Sequence, residues 1–290
     1  MEPEPREFDV PGADGIRIHV LEWSREGVPL VFIHGFGNDA HVWDEIAPAV
    51  APYYRTLALT LRGHGDSGRA EEPGREPDAL VRDVEAALAA LRVERAVVVG
   101  HSLGGRVSLQ FAARNPAKLA GLVLVDFAPE LDARGTTRIR EEAMAQARRK
   151  DRSFGSIDEY LRLLEVLYPA ARPATLAKLA RHWTRQRPDG RYELKQDRRP
   201  PRMPSEGEIG ELRARAREQT ESLWKALREM PCPTLLVRGA ASDVLASDVA
   251  ERAQEALPNG TLVEIARAGH SVMLDNPEDF TAALTSFVLG

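Results

Sequence analysis

The sequence has a single cysteine and no long apolar run near its start. Cys232 lies between two prolines and has no partner with which to form a disulfide inside the chain, which is typical of a reducing compartment. Residues 1–11 are acidic, contain prolines and include no apolar stretch, so they do not resemble a signal peptide or a membrane span. We therefore expect a soluble, cytoplasmic protein with no membrane insertion.

The sequence also lacks a strong excess of charge of one sign. Its 39 basic and 44 acidic residues give a net charge of −5, so the chain as a whole has no positive potential that would attract nucleic acid. Charge is uneven, since residues 129–230 hold 23 Lys and Arg against 17 Asp and Glu. Such a segment could attract an anionic substrate, but arginines that pair with the acidic remainder would give the same count, and we favour the second interpretation.

No cluster of cysteines and histidines has the spacing of a metal site, and we expect neither a metal nor a cofactor. At 290 residues the chain is long enough for one large core with an insertion. Nothing in the sequence indicates its oligomeric state.

Short apolar runs alternate with amphipathic stretches, which predicts an α/β fold with a mostly parallel, doubly wound sheet. The predicted strands are 16–23, 30–34, 55–59, 96–100, 121–126, 234–237 and 261–265. The predicted helices of the same unit are 78–91, 103–114, 248–257 and 279–289.

The alternation stops after Asp126 for about a hundred residues. Capping boxes at Ser156 and Ser205 predict two helix starts, and Pro173 predicts a third helix that runs to Arg185. We therefore divide the chain into a core domain, residues 1–128 and 231–290, and a helical insertion, residues 129–230.

The strongest chemical signal is Gly100-His-Ser-Leu-Gly104, between a predicted buried strand and a predicted helix. This pattern forms a strained turn that lifts its serine out of the sheet, so Ser102 is the candidate nucleophile. A serine hydroxyl needs a base to take its proton and a third group to orient that base.

His270 follows the last predicted strand, where a side chain is presented at the carboxyl edge of the sheet. It is the one histidine after the elbow that fits the chain order serine, acid, histidine, and we assign it as the general base. Asp243 follows the preceding strand and is our candidate for the orienting acid. Asp126 ends a strand at the same edge and is the alternative.

A tetrahedral intermediate needs donors aimed at its oxyanion. The backbone N–H of Leu103, next to the nucleophile, is one candidate. The other is the N–H of Phe36 in His34-Gly-Phe-Gly37, which follows an early strand. For the substrate pocket we name Phe36, His101, Trp43 and Val272, although aromatic residues at such spacing are more often core.

The motifs at both ends of the chain resemble the α/β-hydrolase superfamily, in particular its capped serine esterase-like branch. Leu61-Arg-Gly-His-Gly-Asp-Ser67 resembles that family's Arg-Gly-His-Gly turn, whose charged residues brace the loops around the elbow. The resemblance implies that the insertion is a cap over the active site. It also implies hydrolysis of a small-molecule carboxylic ester through an acyl-enzyme, without a cofactor.

Departures from the family's patterns narrow this expectation. Epoxide hydrolases and dehalogenases of the family carry aspartate where this chain has Ser102, and both are excluded. Two alternatives within the fold are a carbon–carbon bond hydrolase, whose oxyanion loop usually differs from Phe36-Gly-Asn38, and a lactonase. An alternative from another class is a ligand-binding signalling protein that retains the triad.

Overall fold

The computed structural model describes residues 4–71, 77–148, 153–197, 199 and 205–290. Its strands are β1 (Arg6–Pro11), β2 (Arg17–Glu22), β3 (Val28–Ile33), β4 (Tyr54–Leu59), β5 (Ala96–His101), β6 (Leu119–Val125), β7 (Ser153–Phe154), β8 (Thr184–Gln186), β9 (Tyr192–Leu194), β10 (Thr234–Gly239) and β11 (Gly260–Ile265). Its helices are α1 (Ala47–Val50), α2 (Pro77–Ala90), α3 (Leu103–Arg114), α4 (Ala133–Arg148), α5 (Ile157–Leu167), α6 (Pro173–His182), α7 (Glu206–Arg228), α8 (Ser247–Ala256), α9 (Val272–Asp275) and α10 (Pro277–Leu289).

Eight strands form the central sheet in the order β1-β2-β4-β3-β5-β6-β10-β11. The pairs β1–β2 and β2–β4 are antiparallel, and every other neighbouring pair is parallel. The mostly parallel α/β fold predicted from the sequence is therefore confirmed. Parallel strands end at the same edge, so the segments that follow β3, β5, β6, β10 and β11 converge there.

The sheet is buried on both faces, which explains the continuous apolar runs of its central strands. All six residues of β5 are buried. One face packs against α2, α3 and the end of α7, and the other packs against the 40–50 segment, α5, α6 and α10. The core thus extends from the sheet into the insertion.

The first strand, β1, was missed by the sequence interpretation. Its residues alternate between exposed and half-buried, and it pairs only with β2 at the edge of the sheet. An edge strand with few buried apolar side chains carries a weak signal, because burial is what imposes the apolar pattern.

The insertion contains a small antiparallel sheet, β7-β9-β8, in addition to its helices. The third predicted helix begins at Pro173 as expected but ends at His182 instead of Arg185, because Thr184–Gln186 pairs with β9. Both predicted helix starts are confirmed, and the capping box at Ser205 is present, with the Ser205 N–H donating to Glu208 at 2.7 Å. At Ser156 only half of the box forms: Ser156 accepts from the Glu159 N–H at 3.2 Å, but the Glu159 carboxylate accepts from the Gly155 N–H.

Basic side chains of the insertion pair with acidic side chains of the core. Arg138 contacts Asp243 at 2.7 Å, and Lys195 contacts Asp66 at 2.5 Å. Arg172 contacts Glu45 at 3.2 Å. These contacts support the interpretation that the arginines of the insertion balance the acidic core. Within the residues described, no helix is long and apolar enough to span a membrane.

The Arg-Gly-His-Gly turn is fixed by a buried ion pair. The Arg62 guanidinium donates to Asp83 on α2 through Nε and, at 2.7 Å, through Nη2. Asp83 also accepts from the Ala13 N–H at 2.9 Å. Only 1% of Asp83 and 7% of Arg62 are exposed, so each charge depends on the other for compensation.

We expect Asp83→Ala to lower the free energy of unfolding by about 3 kcal/mol, because among the described residues it leaves the buried guanidinium with Asp14, which is partly exposed, as its acidic partner. Urea unfolding measures the change. The matched control is Asp78→Ala on the same helix, whose partner Arg114 is exposed, and it should cost less than about 1 kcal/mol. Equal costs for the two variants would contradict the role given to the buried pair.

Candidate active site

Ser102 occupies a strained turn between β5 and α3. Its backbone has φ 51° and ψ −111°, a conformation that residues other than glycine rarely adopt. The Ser102 N–H donates to the Val125 carbonyl at 3.1 Å, which ties the turn to β6. A Cβ on Gly104 would overlap the carbonyl of Ile33, and one on Gly100 would overlap Ser108 and Gly104. Glycine at both flanks is therefore a steric requirement of the turn.

His270 lies beyond β11 and faces Ser102 across the edge of the sheet. Its Nε2 atom is 2.9 Å from the Ser102 hydroxyl oxygen, within hydrogen-bond distance. The side chain is 12% exposed. The structure thus brings together two residues that the sequence predicted to act together, although they are far apart in the chain.

The prediction that Asp243 orients His270 is wrong, because His270 pairs with Asp126. The Nδ1 atom of His270 is 2.7 Å from the Asp126 Oδ2 atom. Asp126 is fully buried and also accepts from the Gly239 N–H at 3.0 Å and from the Ser242 hydroxyl at 2.5 Å. Three donors therefore compensate its burial, and the alternative considered in the sequence is the one the geometry supports.

Asp243 makes no hydrogen bond to His270, because its loop holds it in other contacts. Ser242 turns inward to Asp126, while the Asp243 carbonyl accepts from the Gly135 N–H at 3.0 Å. The Asp243 carboxylate accepts from Arg138 on α4 at 2.7 and 2.8 Å. The hydrogen bonds from Arg138 lower the pKa of Asp243 despite its partial burial. Asp243 therefore joins the insertion to the core.

A topological signal favoured Asp126 but could not have settled the choice. Asp126 follows β6, which lies directly between β10 and β5, the strand that precedes Ser102. Both aspartates follow a strand at the carboxyl edge, and the side chain that turns inward is decided by the hydrogen bonds of the 239–245 loop. The inward role of Ser242 was missed, since a serine in a loop has no pattern that distinguishes it.

The loop after β3 runs beside Ser102, the candidate nucleophile. Its Asn38 N–H donates to the Gly35 carbonyl at 3.3 Å, and Gly37 has φ 85°, as position i+2 of a type II turn requires. A Cβ on Gly35 would lie 3.4 Å from the Ser102 Cβ. The loop that carries Phe36 is thus adjacent to Ser102, and Leu103 is the first residue of α3, where the N–H has no partner within the helix.

The four candidate pocket residues occupy different environments. Phe36 is half-buried, with its ring 5.9 Å from that of His64. Trp43 is fully buried against Phe32, and Val272 is fully buried in the same core cluster. The predictions for Trp43 and Val272 are therefore corrected to core positions, as the more frequent role of such residues would suggest.

His101 is also corrected from a pocket wall to a buried contact of His270. Its Nε2 atom is 2.9 Å from the His270 carbonyl oxygen, and the two rings lie 4.8 Å apart. A carbonyl only accepts, so Nε2 carries the proton. Burial, together with the nearby His270, lowers the pKa of His101 well below its ordinary value of 6.5. A neutral His101 thus holds the backbone of His270 in place.

The order of strands, the strained turn after β5 and the Ser–His–Asp contacts together define the doubly wound hydrolase class. The match to a family model agrees, since residues 30–284 match the alpha/beta hydrolase family. The chain belongs to that family.

Among curated relatives, the esterase Rv0045c of Mycobacterium tuberculosis is 27% identical over 262 residues, which are 90% of this chain and 82% of that protein. The pimeloyl-[acyl-carrier protein] methyl ester esterase of Chromobacterium violaceum is 29% identical over 270 residues, which are 91% of this chain and 95% of that protein. This chain is thus similar to two esterases over nearly its whole length.

Among solved structures, an alpha/beta hydrolase from Novosphingobium aromaticivorans matches with a TM-score of 0.80 and 28% identity, over 99% of this chain and 98% of that one. This similarity includes the insertion as well as the sheet, since almost the whole of both chains is aligned.

We expect His101→Gln to weaken the dependence of the free energy of unfolding on pH below about pH 6.5. The unfolded chain binds a proton that folded His101 excludes, so the free energy of unfolding falls as the pH drops below about 6.5. Removing the imidazole should reduce that slope by up to about 1.4 kcal/mol per pH unit. Urea unfolding between pH 5 and 8 measures it, and identical slopes for both proteins would show that folded His101 takes up the proton.

Proposed function

We propose that the protein is a serine hydrolase that cleaves carboxylic esters through Ser102, His270 and Asp126. The observation that carries the proposal is the unbroken chain of contacts from the Ser102 hydroxyl to His270 at 2.9 Å and from His270 to Asp126 at 2.7 Å. A nucleophile, a base and an orienting acid in these relations are what acyl transfer requires.

In the proposed reaction, His270 takes the proton of Ser102 while the serine oxygen attacks the ester carbonyl. The tetrahedral intermediate collapses, the C–O bond to the alcohol breaks, and His270 gives its proton to the departing alcohol. Water, deprotonated by His270, then attacks the acyl-enzyme and releases the acid. The Asp126 carboxylate stabilises each imidazolium that forms at His270, because it is buried and 2.7 Å from Nδ1.

The backbone N–H groups of Leu103 and Phe36 are the proposed oxyanion donors. Two observations support them: Leu103 begins α3, and the Phe36 loop lies against Ser102 through Gly35. The positive end of the α3 dipole would add to the stabilisation of the developing negative charge. One such donor contributes on the order of 3 kcal/mol to transition-state stabilisation.

Residues 129–230 are proposed to cap the site and to set the size of the ester that it accepts. The contacts of Arg138 with Asp243 and of Trp183 Nε1 with Asp39, at 2.9 Å, place α4 and the end of α6 against loops at the carboxyl edge. Phe36 is the candidate pocket residue that remains half-buried. The proposed substrates are carboxylic esters of small to medium size, and the similarity to two esterases supports the ester bond as the bond that is cleaved.

The first test is a panel of p-nitrophenyl esters with acyl chains of increasing length. We expect steady turnover by the native chain, with an optimum length that measures the acyl pocket, and loss of turnover in Ser102→Ala, since the hydroxyl that contacts His270 is then absent. Ser286→Ala, at an exposed position of α10, is a matched serine control that should retain activity. No turnover of any ester by the folded native chain would refute the proposal and favour carbon–carbon hydrolysis or ligand binding.

The second test distinguishes the two aspartates. Asp126→Asn should lower kcat by about 10⁴-fold, because an amide can neither hold the reactive tautomer of His270 nor stabilise its cation. Asp243→Asn should retain kcat to within about tenfold, since Asp243 contacts Arg138 and makes no hydrogen bond to His270. Steady-state kinetics on one ester measures both variants, with circular dichroism to verify folding. A larger loss for Asp243→Asn would overturn the assignment.

A further inference from the structure

Two histidines from distant parts of the chain stack on one another where the insertion meets the core. His41 lies in the 3-10 turn Ala40–Trp43 after β3, and His182 is the last residue of α6. Their ring centroids are 3.5 Å apart and the rings are inclined by 21°. Neither residue contacts the triad in the hydrogen bonds described above, so the proposed hydrolysis does not account for this pair.

Asp44 completes a potential ligand set with this pair. Its carboxylate oxygens are 3.2 and 3.3 Å from His41 Nδ1. One ligand atom from each of His41, Asp44 and His182 lies within 4.8 Å of the other two. In a tetrahedral zinc site the ligand atoms lie roughly 3.4 Å apart. Side-chain rotations that move these atoms by about an ångström would therefore bring the three to that spacing around an ion.

We propose that His41, Asp44 and His182 bind a divalent transition-metal ion of the zinc type, which links α6 of the insertion to the core. Two imidazoles and one carboxylate suit zinc, and water would take the fourth position. Magnesium is a poor fit, because it prefers oxygen ligands in an octahedral arrangement.

The electrostatic surroundings favour a cation at this position. The Asp44 carboxylate lies 3.2 Å from His41 Nδ1, and the Asp39 carboxylate accepts from the His41 N–H at 3.0 Å. Asp39 is buried, so its charge is poorly screened by water. These two carboxylates favour a positive charge beside His41.

The ligands also lie on an interface that is already fixed at both ends of α6. At its start, Arg172 contacts Glu45 at 3.2 Å, and Thr175 donates to the same carboxylate. At its end, Trp183 Nε1 donates to Asp39 at 2.9 Å. The backbones that carry the three ligands are therefore held close before any ion binds, which reduces the entropic cost of forming the site.

The test is calorimetric titration of Zn²⁺ into the full chain prepared without a histidine tag. We expect one strong site per chain in the native protein, and affinity at least tenfold lower in His182→Gln and in Asp44→Asn. The matched control is Arg181→Gln, an exposed neighbour on the same helix, which should bind as the native chain does. Mg²⁺ should not compete. Thermal unfolding without metal verifies that each variant is folded.

Two further measurements separate this site from the proposed catalytic site. His270→Ala should retain Zn²⁺ binding, whereas loss of binding in that variant would assign the ion to the triad and overturn the proposal. Zn²⁺ should also raise the Tm of the native chain and of Arg181→Gln but not that of His182→Gln. Equal affinity in native and His182→Gln proteins, or no stoichiometric binding, would equally overturn it. None of these results depends on ester turnover.

Discussion

The buried carboxylate of Asp126 is the contact on which the arrangement of the site depends. It accepts hydrogen bonds from three donors on two segments: the Gly239 N–H and the Ser242 hydroxyl at the end of β10, and His270 after β11. Its own backbone is held at φ 48°, and its N–H donates to the Val237 carbonyl at 2.7 Å. A fully buried charge with compensating donors on all sides fixes the positions of those donors, because losing any one of them leaves the charge undercompensated.

From this contact the remaining geometry follows. Asp126 holds the His270 ring through Nδ1, which leaves Nε2 facing the Ser102 hydroxyl. His101 holds the His270 backbone through its carbonyl oxygen. The same contact turns Ser242 inward, which directs Asp243 outward to Arg138 of the insertion. The orientation of one loop therefore determines both the acid that contacts the histidine and the ion pair that joins the insertion to the core.

Much of this could be predicted from the sequence where burial or sterics leave a pattern. Apolar runs mark the central strands, flanking glycines mark the turn at Ser102, and chain order marks His270 as the candidate base. The identity of the acid could not be predicted, since Asp126 and Asp243 both follow a strand at one edge. The pairing of His41 with His182 was equally hidden, because the fold brings together residues 141 positions apart that no spacing rule connects.

The insertion separates two strands that are neighbours in the sheet, and this affects the order in which the protein can form during synthesis. Strand β6 ends at Val125, and its partner β10 begins only at Thr234. At roughly 5–20 residues per second, the intervening chain takes roughly 5–20 s to emerge from the ribosome. Throughout that interval the apolar strand β6 is an open edge of the nascent sheet, the kind of edge that other chains can pair with. Early folding of the insertion over that edge would shield it.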